Sequence, residues 1–186
     1  DSGNIAECDT IDLSIHSSEN SDTREGPYYI LAFEVGGVST SSFIGVNADS
    51  LRWQVNHPAG SWLVLSLVDA HGNSGGVLPK LFTVQKNGSN ADSSCLHSPP
   101  ACRSYPEISL NVSDEPGACT SWSISVTSGV PPYTISFASL GSSEVFNYSV
   151  VAQEENSFSA INSPALKGKG QVLGEFAQSV FERGDI

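Results

Sequence analysis

The chain contains no methionine and few charged residues: 8 Lys and Arg and 20 Asp and Glu, which together make up 15% of its 186 residues. Globular domains usually carry about 25% charged residues. The shortage of basic side chains leaves a formal net charge of −12, which repels the phosphates of nucleic acids and the head groups of anionic lipids. We therefore expect neither nucleic acid nor bare membrane among its partners.

Two further absences narrow the function. No run of 18 or more apolar residues occurs, so the sequence predicts no membrane span within this segment. The 4 cysteines include no Cys-x-x-Cys pair, which a structural zinc site would commonly use. We expect no cofactor and no metal ion.

In place of charged residues the chain is rich in serine, glycine and proline, with 17 Gly and 10 Pro. Such a composition is typical of short strands joined by turns. Alternating or continuous apolar segments predict strands at 11–15, 29–35, 51–55, 62–68, 81–84, 108–112, 122–126, 133–137, 145–151, 158–161 and 172–180. The last segment also fits a helical stripe, but we predict a strand there. The fold class predicted is all-β.

Two parts of the chain resemble each other. Residues 26–33 read GPYYILAF and residues 131–137 read PPYTISF, and a cysteine precedes each segment, at Cys8 and Cys119. A later Val-Leu motif recurs at 76–84 and 171–180. The offset between the copies falls from 111 at the cysteines to 105 at the Pro-Tyr motifs and 95 at the Val-Leu motifs, as expected if the second copy has shorter loops.

This duplication predicts two tandem immunoglobulin-like β-sandwich domains, at residues 1–96 and 104–186, joined by a Pro-rich linker at 97–103. The label describes architecture alone, because the usual immunoglobulin core of cysteines and tryptophan is absent. Tandem modules of this kind usually serve adhesion or assembly, and they make an active site less expected.

The four cysteines allow three disulfide pairings. Cys8 opens the first predicted domain and Cys95 closes it, so we favour Cys8–Cys95 with Cys102–Cys119. The rival pairing, Cys8–Cys102 with Cys95–Cys119, would fasten the hinge between the domains instead.

Three Asn-x-Ser sequons, at Asn87, Asn111 and Asn147, predict N-glycosylation. Together with the cysteines and the absence of methionine, they favour the secretory pathway. We expect a removed signal peptide and an extracellular or cell-surface location.

One motif suggests catalysis. Residues 72–76, GNSGG, resemble the surroundings of the nucleophile in chymotrypsin-like serine proteases, with Ser74 in the nucleophile position. The upstream histidines do not stand in the setting that this family uses, since His57 precedes a proline and His71 lies three residues from Ser74. We predict a flexible hairpin here and keep a serine hydrolase only as a remote alternative.

Other short motifs have simpler interpretations. Asp69, His71 and Asn73 resemble part of a calcium loop, but a turn held by Asp and Asn side chains explains them as well. The acidic residues Glu19, Asp22 and Glu25 indicate a solvated loop. The Arg-Gly-Asp tripeptide at 183–185 matches an integrin-binding motif, and we interpret it as a chance sequence.

Aromatic residues offer a route to glycan binding. Trp53, Trp62 and Trp122 fall in predicted strands, so we expect them in the core. The tyrosines that follow proline at a strand start are the best candidates for exposed glycan contacts: Tyr28, Tyr29 and Tyr133.

Several of these motifs carry a resemblance to a known group of proteins. Residues 53–73 follow the pattern Trp-x-Val-x-x-Pro-Ala-Gly, then Leu-x-Leu-x-Asp-x-x-Gly-Asn, and Phe-Thr-Val follows at 82–84. With Cys119 and the segment at 131–135, the chain resembles the extracellular repeats of fungal surface proteins. The resemblance implies secreted or single-pass proteins with paired β-sandwich-like repeats, and it carries over no active residue.

The sequence therefore predicts a non-enzymatic extracellular glycoprotein with a structural, adhesive or self-assembling role at the cell surface, and filaments are one form of such assembly. Its partner would be itself or another surface protein. The alternative is a carbohydrate-binding module that contacts glycan through the tyrosines.

Overall fold

The structure is a computed structural model, and it describes residues 2–15, 25–88, 93–97, 107–111, 121–127, 133–138, 140–143, 145–150 and 157–161. The regular structure of these residues is β-strand apart from one 3-10 turn at Ser93–Cys95, and none of them lies in an α-helix. The all-β prediction is confirmed. Among the residues described, no helix is long and apolar enough to cross a membrane.

The described part of the first half contains eight strands: β1 (Ser2–Ala6), β2 (Thr10–Leu13), β3 (Tyr28–Glu34), β4 (Thr40–Gly45), β5 (Leu51–Gln54), β6 (Trp62–Val68), β7 (Ser74–Val77) and β8 (Leu81–Gln85). The described part of the second half contains five: β9 (Glu107–Asn111), β10 (Ser121–Thr127), β11 (Tyr133–Phe137), β12 (Phe146–Val150) and β13 (Ser157–Ile161).

The largest sheet has the order β1-β8-β6-β3-β4, and β7 also pairs with β6. Its ladders are antiparallel except for β1 and β8, which run parallel, so the sheet is mixed. Strands β2 and β5 form a separate antiparallel pair. In the second half, β9 and β13 flank β10, and β11 pairs with β12.

The main core lies between the large sheet and the β2–β5 pair. Side chains alternate across a strand, so residues 28, 30 and 32 of β3 face one side of the sheet together. That side packs against β5, where Leu51 and Trp53 are buried. The cluster of buried residues consists of Tyr28, Ile30, Ala32, Ile44, Leu51, Trp53, Val55, Leu63, Leu65 and Val84.

A second apolar cluster joins residues that the sequence assigns to different domains. Phe33, Val64 and Val77 pack with Ala138, which follows β11. The amide of Val77 donates a hydrogen bond of 2.8 Å to the carbonyl oxygen of Ser142. The domain boundaries and the immunoglobulin-like arrangement stay predictions, but these contacts show that the two halves touch at the end of β7.

The disulfide between Cys8 and Cys95 is present, with the two Cα atoms 5.6 Å apart. This half of the favoured pairing is confirmed. Cys102 and Cys119 lie outside the described residues, as does the last predicted strand at 172–180.

Ten of the predicted strands correspond to strands of the structure, while β1, β4 and β7 were not predicted. Residues 74–77, which belong to the predicted hairpin, form β7, and this strand pairs antiparallel with β6. One expectation about a tryptophan was wrong. Trp62, predicted in the core, is 52% exposed at the start of β6, whereas Trp53 is buried as expected. The side chain of Trp122 is not described.

Candidate functional site

An open groove of about 460 Å³ lies where β3 ends and β6 begins. Its lining residues are Glu34, Val35, Ala59, Gly60, Ser61 and Trp62. The two strands are paired here, since Glu34 stands opposite Leu63 and the amide of Val35 donates to the carbonyl oxygen of Trp62 at 2.9 Å. The groove therefore lies at the end of the β3–β6 ladder, and the turn before β6 completes its lining.

That turn, at residues 58–61, is fixed from several sides. The amide of Ser61 donates to the carbonyl oxygen of Pro58 at 3.2 Å and closes the turn. Gly60 has a φ of +97°, a conformation that favours glycine, and its amide donates to the carbonyl oxygen of Val84. The amide of Ala59 donates to the Oε2 atom of Glu7 at 3.0 Å. The backbone that lines the groove is thus held before any ligand arrives.

A buried polar network lies beneath the groove. The carboxylate of Glu34 accepts a hydrogen bond from the hydroxyl of Ser61 and lies 3.0 Å from Nδ1 of His57. Nε2 of His57 lies 2.9 Å from the hydroxyl of Thr40. His57 is only 2% exposed. The network ties the end of β3, the start of β4 and the 58–61 turn to one another.

The electrostatics of this network favour a neutral imidazole. Burial lowers the pKa of His57 below 6.5, a fall that the hydrogen bond and the charge of Glu34 only partly oppose. A carboxylate accepts hydrogen bonds, so the neutral ring donates from Nδ1 to Glu34. Nε2 is then the acceptor, and the hydroxyl of Thr40 donates to it.

The order hydroxyl, imidazole, carboxylate resembles the arrangement of a catalytic triad. Thr40, however, is not among the residues that line the groove. Its hydroxyl also lies 3.5 Å from Oδ1 of Asn56, a second acceptor. The arrangement accounts for how a buried histidine and a partly buried carboxylate are satisfied.

A second surface lies at the edge of the large sheet. Strand β4 pairs with β3 on one side and, among the residues that the structure describes, is the last strand of the sheet on the other. Phe43 is 59% exposed, and its ring packs edge to face against Tyr29 with 5.8 Å between the ring centroids. Val46, just after β4, is 69% exposed. We call Tyr29, Phe43 and β4 the aromatic edge.

The predicted glycan-contact tyrosines differ in their exposure. Tyr28 is 3% exposed and belongs to the main core, so its ring cannot reach a glycan; the prediction of exposure was wrong for this residue. The cause is the two-residue period of a strand, which places Tyr28 and Tyr29 on opposite faces. Tyr29 is half-buried beside Phe43. Tyr133 begins β11, and its side chain is not described.

Ser74 lies in β7, and its hydroxyl oxygen accepts a hydrogen bond of 3.1 Å from the amide of Gly76. The hydroxyl oxygen of Ser66 lies 3.4 Å away and donates to the carbonyl oxygen of Gly76. Within the described ranges, none of the hydrogen bonds found for Ser74 involves a histidine. These hydrogen bonds join the strands β6 and β7.

The Asp69 segment is a turn, as predicted. Oδ1 of Asp69 accepts hydrogen bonds from the amides of His71 and Asn73, each at 2.9 Å, and Oδ2 accepts one from the side-chain amide of Asn73. Burial would raise the pKa of Asp69, but these hydrogen bonds lower it below its ordinary value. In the part of the chain that the structure describes, no three His, Cys, Asp or Glu residues are grouped to hold a metal ion.

The remaining predicted sites have the following places. Asn87 follows β8 and is half-buried, and its side-chain amide donates to the carbonyl oxygen of Glu7 at 3.4 Å. Asn111 ends β9 and Asn147 lies in β12, opposite Ser136. Glu25 is exposed, and its carbonyl oxygen accepts from the amide of Ala70. Glu19, Asp22 and residues 183–185 lie outside the described residues.

Sequence reasoning missed the Glu34–His57 network and the Trp62 groove. One signal was present: Glu34 continues the core-facing series of residues 28, 30 and 32 on β3, and a carboxylate on the core side of a strand needs a buried partner. No signal in the sequence named His57 as that partner.

Comparison with known proteins found no match: no family model fits the chain, and neither a curated protein nor a solved structure is significantly similar to it.

Proposed function

We propose that this chain is a non-enzymatic extracellular glycoprotein of two tandem immunoglobulin-like domains, which acts in adhesion or self-assembly at the cell surface. The observation that carries the proposal is the aromatic edge. A strand at the end of a sheet offers unpaired backbone donors and acceptors, and an extended segment of another molecule can pair with them.

The composition of β4 suits such pairing. Its sequence, TSSFIG, contains no proline and no charged residue, which are two of the features that protect sheet edges from pairing. Phe43 projects from this strand and is exposed, so a partner strand would also cover apolar surface. Covering the ring fully would contribute about 1–2 kcal/mol. The partner that requires the fewest assumptions is the aromatic edge of a second copy.

The charge of the chain predicts how the association depends on salt. Two copies that each carry a net charge of −12 repel one another, and salt screens this repulsion over a Debye length of about 8 Å at 0.15 M. Association through an uncharged edge should therefore strengthen as the salt concentration rises. An association that relied on ion pairs would weaken instead.

The secretory location rests on separate support. The Cys8–Cys95 disulfide closes the first half of the chain, and disulfides persist in oxidising compartments. The three sequons are consistent with the same route.

Sedimentation velocity over a series of protein concentrations, at low and at moderate salt, tests the proposal. We expect larger species to appear with concentration and to increase with salt, and negative-stain images to show whether they are dimers or filaments. A strict monomer at every concentration and salt level would rule out self-assembly.

A further inference from the structure

Asn87 carries an inference that is independent of the aromatic edge. Strands β1 and β8 pair in parallel as far as Ala6 and Gln85. Beyond that pair, the amide of Glu7 donates to the carbonyl oxygen of Gln85 at 2.9 Å. The carbonyl oxygen of Glu7 accepts a hydrogen bond of 3.4 Å from the side-chain amide of Asn87. The side chain of Asn87 therefore continues the β1–β8 ladder by one hydrogen bond.

The next residue, Gly88, leaves the backbone beside this side chain open. Gly88 is exposed, and a Cβ atom built on it would have no atom within 4 Å apart from its chain neighbours. Among the residues that the structure describes, none accepts a hydrogen bond from the amide of Gly88. Solvent therefore reaches the amide nitrogen of Gly88.

An asparagine followed by glycine is the pair most open to deamidation. The backbone nitrogen of the second residue loses its proton to solvent and attacks Cγ of the asparagine, so that a succinimide ring closes. The side-chain nitrogen leaves as ammonia, and water then opens the ring to aspartate or isoaspartate, without oxidation or reduction. A side chain on the second residue crowds the attacking nitrogen, and glycine has none.

Other asparagines of the described residues lack this combination. Asn47 precedes Ala48, whose Cβ atom stands beside the nitrogen that would attack. Asn73 precedes Ser74, and both its backbone amide and its side-chain amide donate to the carboxylate of Asp69 at 2.9 Å. These two asparagines are therefore internal references for the rate at Asn87.

The same asparagine begins the sequon Asn87-Gly88-Ser89. An N-linked glycan is attached to Nδ2, which is the atom that leaves when the succinimide ring closes. With a sugar attached, Nδ2 is more crowded and would have to leave as a glycosylamine. Glycosylation and deamidation therefore compete for one atom.

We propose that Asn87 is a modification site with two exclusive outcomes: without a glycan it deamidates through a succinimide formed with Gly88, and N-glycosylation prevents this reaction. The second outcome rests on the secreted glycoprotein proposed above, whereas the first does not. Deamidation replaces a donor by a carboxylate, which only accepts, so the hydrogen bond to the carbonyl oxygen of Glu7 is lost.

Ageing of protein made in a host that does not glycosylate tests the first outcome, at mildly acidic and at mildly alkaline pH. Peptide mapping by mass spectrometry should show aspartate and isoaspartate accumulating at Asn87 faster than at Asn47 or Asn73. The rate should rise with pH, because the attacking nitrogen must lose a proton.

Gly88→Ala keeps the asparagine and the sequon but adds a methyl group, and it should slow the reaction at least about tenfold. The methyl group meets open space, and thermal unfolding checks that the fold is intact. Deamidation at Asn87 that is no faster than at Asn47 and Asn73, or an unchanged rate in Gly88→Ala, would overturn the proposal.

Protein secreted from a glycosylating host tests the second outcome. We expect the unaltered protein to carry a glycan at Asn87 and to resist ageing there. Ser89→Ala removes the sequon and keeps the Asn-Gly pair, so it should deamidate as the unglycosylated protein does. A secreted protein that carries no glycan at Asn87, or that deamidates there despite its glycan, would overturn the protective role while the first outcome is judged separately.

Discussion

Nδ1 of His57 lies 3.0 Å from Oε2 of Glu34, and this contact joins the turn beneath the groove to the end of β3. The side chain of His57 is 2% exposed and that of Glu34 is 17% exposed. Loss of either partner would leave the other, which is wholly or partly buried, without one of its hydrogen bonds. The burial of His57 links the pH of the solution to the stability of the fold, and the contact with Glu34 partly opposes that effect.

The pH dependence has a definite sign. Burial lowers the pKa of His57 in the folded chain below 6.5, while Glu34 raises it and His97 lowers it to smaller extents. Between the unfolded and the folded pKa, the unfolded chain binds more protons, so the free energy of unfolding falls as the pH decreases from 6.5 and levels off below the folded pKa. Urea unfolding at about pH 7.5 and about pH 5 measures this difference.

The variant His57→Gln should show a smaller difference between the two pH values, because the titrating group has gone. His71→Gln is the control, because it makes the same substitution at an exposed histidine, and it should change the difference between the two pH values less than His57→Gln does. If His57→Gln retained the full pH difference, the dependence would have to come from other groups.

The Cys8–Cys95 bridge should contribute strongly to stability. The two residues are 87 positions apart, so the bridge restricts a long loop in the unfolded chain, and its loss should cost about 2–4 kcal/mol in the free energy of unfolding. Cys8→Ser, Cys95→Ser and the double variant should lose the same amount, because each removes one and the same bond. Unequal losses would show that one of the cysteines has another partner.

Trp53 offers an unusual core substitution. It is 1% exposed, and its indole Nε1 has no hydrogen-bond partner among the described residues. A buried donor without a partner costs about 1–3 kcal/mol. Trp53→Phe removes this donor, which offsets part of the stability that the smaller ring loses through reduced packing. We therefore expect the free energy of unfolding to fall by about 1 kcal/mol or less. Trp53→Ala should cost about 3–5 kcal/mol. Chemical unfolding measures the free energy of unfolding of both variants. A loss of about 3 kcal/mol in Trp53→Phe would show that the unpaired indole N–H costs little in the folded chain.

If the aromatic edge mediates self-association, two charged surface variants should have different effects on it. Phe43→Lys places a charge on β4, which should prevent strand pairing, and sedimentation velocity should show a monomer. Leu78→Lys makes the same kind of change at another exposed apolar residue, which lies between β7 and β8, and should self-associate normally. Equal effects of the two variants would point to non-specific association through charge or exposed apolar surface.

Ser74 should not react as a hydrolase nucleophile. The hydrogen bonds found for its hydroxyl join it to Gly76 and Ser66, and neither is a general base. A fluorophosphonate probe should leave the protein unlabelled, and a denatured sample serves as the background. Labelling that disappears in Ser74→Ala would restore the serine hydrolase as a candidate.

Much of the strand content could be predicted, and the reason is local. Segments such as 62–68 and 133–137 carry the composition and period of strands within themselves, and β6 and β11 have those bounds. Strand β4 was missed because its serines and threonine resemble a loop. Its place in the sheet comes from pairing with β3, a contact between separate segments.

Which face of each strand is buried could not be predicted from the sequence. Strand β3 reads YYILAFE, with apolar residues at both odd and even positions, so the alternation does not say whether Tyr28 or Tyr29 is buried. Strand β6 has the same ambiguity at Trp62 and Leu63. Which side chains are buried depends on the layer that packs against that face of the sheet. Here the β2–β5 pair covers the side of Tyr28 and Leu63.

The sequence by itself determined the all-β class, the acidic surface, most strand positions, the Asp69 turn and the choice of Cys8 and Cys95 as a favoured pair, because each depends on composition or on short-range pattern. Tertiary structure alone decided that Glu34 meets His57, that Trp62 stands open beside a groove and that β4 forms an edge. Those features depend on which distant segments pair and in what register, and a one-residue change of register would turn every side chain of a strand to the other face.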